Sequence, residues 1–93
     1  MDENVLQKKI SETVIALYQN REQEAMQQVK ELLLIFQNMI QNQTSEQVQA
    51  AGNFTLLMLR ELLESYQNQD MIGMADCLLG KAVLFTQFYF QNN

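Results

Sequence analysis

Arg21-Glu22-Gln23-Glu24-Ala25-Met26-Gln27-Gln28-Val29-Lys30-Glu31-Leu32-Leu33-Leu34-Ile35-Phe36-Gln37-Asn38-Met39-Ile40-Gln41-Asn42 is the stretch that decides the fold. Ala25, Met26, Val29, Leu32, Leu33, Phe36 and Ile40 recur every three or four residues, the period of an α-helix with one apolar face. Gln23, Gln27, Lys30, Glu31, Asn38 and Gln41 occupy the opposite side, and only Leu34 and Ile35 stray from the stripe. Asn20 precedes the run, Gln23 follows three residues later, and Glu22 and Glu24 fill the first turn. That arrangement predicts an N-cap at Asn20 and a helix over residues 21–42.

The same period extends in both directions. Leu6, Ile10, Thr13, Val14 and Leu17 predict a helix over residues 3–19, with Asp2 and Glu3 at its N-terminus. Thr44 and Gln47 form a capping-box pattern at the head of a third helix over 45–67. Val48, Ala51, Thr55, Met58, Leu59, Leu62, Leu63 and Tyr66 should face inward there, with Gly52 tolerated inside at about 1 kcal/mol relative to alanine. Asp70 favours a fourth N-terminus, for a helix over 69–91. The chain has no proline and only three glycines, so the tight turns of an all-β domain are missing. The expectation is a single all-α domain over residues 1–93, an antiparallel up-down-up-down four-helix bundle joined by short turns. Tyr18-Gln19-Asn20 recurs as Tyr66-Gln67-Asn68, 48 positions on. At that offset Ile10 matches Met58, Val14 matches Leu62 and Met26 matches Met74. The alternatives are a duplicated αα-hairpin and the ordinary likeness of any two amphipathic hairpins.

The fourth helix carries more apolar residues than one stripe requires. At 100° per residue Met71, Ala75, Leu78, Leu79, Ala82, Phe85 and Tyr89 form its core side, flanked by Ile72, Val83 and Phe90. Cys77, Leu84 and Phe88 then point away from the bundle, beside a narrow strip of Gly73, Asp76, Gly80 and Gln87. Contiguous exposed apolar surface marks association sites. Gly73, Cys77, Gly80, Leu84 and Phe88 are therefore the candidate interface, with a protein partner or a second copy as its occupant and a homodimer as the simplest case.

The rest of the sequence narrows the function. Net charge is −5 and the six cations Lys8, Lys9, Arg21, Lys30, Arg60 and Lys81 are scattered, which disfavours nucleic acid and anionic membranes as partners. The longest strictly apolar run, Leu32 to Phe36, is far short of a membrane span, and the acidic N-terminus does not read as a secretory signal. A single cysteine, Cys77, fits a reducing cytoplasm. Polarity comes from 14 Gln and 8 Asn more than from charge. Without histidine there is no Ser-His or Cys-His pair and no Glu-x-x-His metal motif. No metal, no cofactor and no enzymatic activity is expected. Glu61 and Glu64 read as a solvated face. Asp76 reads as a half-exposed structural acid for Arg60 or a helix end. Cys77 reads as a packing residue whose pKa Lys81, one turn on, could lower slightly.

The segment Tyr66-Gln67-Asn68-Gln69-Asp70-Met71-Ile72-Gly73-Met74-Ala75-Asp76-Cys77-Leu78 resembles a pattern, N-x-D-x-[IV]-x-x-A-D-x-L, of small uncharacterised helical-bundle proteins of Gram-positive bacteria. An aromatic and an acidic residue usually follow it; here Gly80 and Lys81 stand at those positions, so the likeness ends at residue 78. The resemblance implies a bacterial helical bundle, in some relatives near motility genes. A looser similarity to flagellar export chaperones, in size, acidity and helix content, implies a surface for an amphipathic client helix. Three classes follow: a protein-binding or self-associating module, an export-type chaperone, and a small-ligand carrier or enzyme. The last needs a cavity with convergent polar groups, and none is legible.

Overall fold

The computed structural model describes residues 1–91, all of whose regular structure is helical. The elements are α1 (Glu3–Tyr18), α2 (Glu22–Gln41), α3 (Ser45–Ala51), α4 (Phe54–Gln67), α5 (Met71–Cys77), a π-helical turn (Leu78–Ala82) and α6 (Val83–Gln91). The last three run on as one helix, Met71–Gln91.

Local sequence chemistry sets most of the boundaries. Asp2 caps α1, its Oδ1 accepting from the Val5 N–H at 2.8 Å. At α3 the capping box is complete: the Thr44 hydroxyl accepts from Gln47 N–H at 3.1 Å, and Thr44 N–H donates to Gln47 Oε1 at 2.8 Å. Asp70 caps α5 through the Gly73 N–H at 2.9 Å. Such caps are worth about 1 kcal/mol each.

Asn20 does a different job from the expected N-cap. Its φ is +56°, and α2 is preceded by Arg21, whose side chain makes no capping bond. Asn20 N–H donates to Leu17 O and Arg21 N–H to Ala16 O, the paired bonds that close a helix C-terminus through a left-handed residue. The turn after α4 repeats this pattern: Gln69 has φ +53°, its N–H donates to Tyr66 O, and Asp70 N–H donates to Ser65 O. The two left-handed residues are Asn20 and Gln69, so the turns correspond at an offset of 49. The Tyr-Gln-Asn match at 48 is out of step with them by one residue.

The predicted third helix is broken. Gly52 adopts φ +60°, ψ −139°, a conformation open to glycine and strained for other residues, and the chain restarts at Phe54. Val48, expected inside, is exposed, and α3 contributes no buried residue.

Helix α1 packs on α2, on α5 and on α6, while α4 packs on α2 and α5. Leu6, Ile10, Val29, Leu32, Phe36, Met58, Leu62, Met74, Leu78 and Phe85 are sealed between them. Phe36 and Phe85 meet edge to face, with ring centroids 5.9 Å apart. The radius of gyration, 12.6 Å, is close to the roughly 12 Å of a compact chain of this length. Two buried hydroxyls are satisfied within their own helices: Thr13 donates to Lys9 O at 2.7 Å and Thr86 to Ala82 O at 2.8 Å. Lys9 also joins α1 to α2 through Glu31, at 3.0 Å, and this bond holds the Glu31 carboxyl below its ordinary pKa.

Candidate functional site

The candidate surface lies on the last helix, and the π turn decides what faces outward. In an unbroken α-helix, 12 residues would rotate Thr86 by about 120° from Met74. Yet both side chains are fully buried. The wider turn at Leu78–Ala82 takes up the difference, because its bonds span one residue more. Met74, Leu78, Ala82 and Thr86, each four apart, therefore all reach the core.

This re-phasing moves the expected surface. Leu79, expected inside, is 52% exposed, and Ile72, expected at the flank, is 69% exposed. Cys77, expected outside, is buried. Leu84 is outside as expected, at 54% exposure, and Gly80 beside it is open: a Cβ added there would meet no atom within 4 Å. Phe88 is half-buried. Gly73 is half-buried and faces its own fold, since a Cβ there would run into the Asp70 carboxylate and lie 2.7 Å from Ser65 Oγ of α4. Of the five candidate residues, Gly80 and Leu84 form an open surface, and Ile72 and Leu79 join them. Those two were missed because the angular reading assumed an uninterrupted helix.

One side of this face falls into a depression of about 270 Å3 lined by Glu61, Glu64, Ser65, Gly73, Asp76, Cys77 and Lys81. Lys81 pairs with Glu61 at 2.9 Å, which raises the lysine pKa. Glu61 thus holds a cation across α4 and the π turn, where it was expected to face water alone. Asp76 is exposed and, among the described residues, makes no ion pair with Arg60 or any other cation.

Cys77 donates a weak hydrogen bond to Met58 O at 3.5 Å. Burial is the largest influence on its thiol, the Glu61 charge adds to it, and Lys81 opposes both; the net effect pushes the pKa up to about 11. The lowering expected from Lys81 is therefore overruled by desolvation. A thiol held in that state is a poor nucleophile at neutral pH. Among the described residues no three of Cys, Asp and Glu stand close enough together to hold a metal ion.

A second hollow, of about 310 Å3, opens where Met1, Leu6, Ile35, Asn38, Met39, Asn42, Tyr89 and Phe90 meet. It has no charged side chain in its lining. Met71–Gln91 is also the one helix among the described residues long and apolar enough to cross a membrane by length and composition, with mean hydropathy 1.3 over an 18-residue window. In this fold that apolarity is divided between the core face and the open stripe.

Comparison with known protein families, with characterised proteins and with solved structures finds no match to this chain.

Proposed function

We propose that the chain is a non-enzymatic, cytoplasmic helical module that binds protein through the outer face of its last helix. The observation that carries this reading is the uncovered stripe of Ile72, Leu79 and Leu84, each more than half exposed, with the open backbone of Gly80 beside it. Large apolar side chains gathered on one helix face are characteristic of association surfaces. The raised thiol pKa of Cys77 supports a packing role for the one potential nucleophile.

The architecture we infer for this module is four rods (α1, α2, α4 and α5–α6) that alternate up and down, with α3 part of the link between α2 and α4. The short turns after α1 and after α4 support it. Two turns of the same hydrogen-bond pattern 49 residues apart, and the contact of Phe36 with Phe85 at the same spacing, support a repeated hairpin. The likeness of residues 66–78 to helical-bundle proteins of Gram-positive bacteria points the same way. An export-type chaperone is one form this module could take, since a client helix would lie along the same stripe.

The test is partner capture under native conditions with the wild-type chain, Leu84→Glu and Leu34→Glu. Leu34 is 59% exposed on α2, away from the stripe, and serves as the control. Association that Leu84→Glu removes and Leu34→Glu keeps is the expected result. A monomer whose contacts neither substitution alters would refute the reading.

A further inference from the structure

We propose that the outer face of α5–α6 docks a cationic amphipathic helix of a partner protein, in preference to a second copy of this chain. The proposal rests on the association reading above and names its occupant. Two features meet at Asp76. It lies four residues after Ile72 and three before Leu79, so it borders the apolar stripe. It also lines the depression that holds Glu61 and Glu64. Lys81 is engaged by Glu61, which leaves Glu64 and Asp76 without a cation among the described ion pairs. The stripe is thus greasy along its length and negative along one border.

In an antiparallel two-fold contact along the stripe, a second copy would bring this acidic border against itself. The chain's net charge of −5 adds to that repulsion. A helix carrying leucines at three- and four-residue spacing, flanked by Lys or Arg, matches both halves of the surface. Its apolar ridge would cover Ile72, Leu79 and Leu84 and pass close over the open backbone at Gly80, and its cations would meet Asp76 and Glu64.

The probes are two labelled helical peptides of one leucine pattern, one with lysine at every polar position and one with glutamate. Binding is read by fluorescence anisotropy at low and high salt. The lysine peptide should bind, weaken as salt rises, and lose roughly tenfold in affinity for the double variant Glu64→Lys/Asp76→Lys. Leu84→Glu should abolish binding and Leu34→Glu should leave it intact, with circular dichroism confirming that each variant is folded. Equal binding of both peptides, abolished by Leu84→Glu, would overturn the cationic partner and leave the association surface standing. A dimer dissolved by Leu84→Glu would seat a second copy there, overturning the proposal but not the reading beneath it. Binding of neither peptide by a chain that sediments as a monomer would overturn both.

Discussion

Three glycines in this chain predict three different outcomes for the same change to alanine. At Gly52 a Cβ would have open space, but φ +60° with ψ −139° strains any other residue, so Gly52→Ala should cost about 1–3 kcal/mol. At Gly73 a Cβ would displace the Asp70 carboxylate that caps α5, so the loss of a cap worth about 1 kcal/mol offsets the helix-propensity gain. At Gly80 neither obstacle exists, and Gly80→Ala should stabilise by about 0.5–1 kcal/mol. Urea unfolding of the three variants should therefore rank them Gly80→Ala, Gly73→Ala, Gly52→Ala from most to least stable, and any other order would contradict the local geometry. Cys77 makes a separate prediction. A buried thiol whose pKa rises from 9.0 to about 11 favours the folded state while it stays protonated. That stability is intact below pH 9 and is lost as the pH climbs towards 11. Lys81, also raised, loses its contribution in the same direction. Stability measured from pH 8 to 11 should fall, and the fall should be shallower in Cys77→Ala. The cap at Thr44 was legible in the sequence because a capping box pairs neighbours three residues apart, whereas Asp2 and Asp70 were legible as acids that favour a helix N-terminus and prove to be side-chain caps as well. Asn20 was misread because asparagine suits both an N-cap and a left-handed C-terminal position, and only the tertiary turn chooses. Gln69 gave no signal, since glutamine seldom takes that conformation.

At the scale of elements, α2 was legible because its stripe is unbroken and amphipathic, down to the exposed Leu34. The last helix was legible as a helix but not in its facing. Nothing local distinguishes an α turn from a π turn, and one extra residue re-aims everything beyond it. The core positions around Leu78–Ala82 behave as though one residue had been inserted into an α-helix. Deleting Gly80, which is exposed and bears no side chain, should therefore leave Met74, Leu78, Phe85 and Thr86 facing inward along a regular helix. The shortened chain should retain its helical circular dichroism and a cooperative melt. Deleting Glu31 from the middle of α2 should abolish cooperative unfolding, because Leu32, Leu33 and Phe36 would be turned about 100° out of the core. The third helix shows the converse error. Its apolar period runs across Gly52 without a fault, so periodicity joined what the backbone separates.

For the whole molecule, the helical class and most of the core follow from the sequence, while the surface depends on the π turn and on which helices cover one another. Helix α3 buries none of its side chains, whereas α1 lies against α5 and α6, and α2 lies against α4. The contacts that hold the core thus join the residues before the α3 segment to those after it, with Phe36 on Phe85 at the centre. A chain cut within residues 45–51 would lose its covalent tether and little of its interior. Its two halves, each left with a bare greasy flank when alone, should seek each other out when mixed. The molecule is thereby a natural pair of complementing fragments, able to bring together any two proteins to which they are fused.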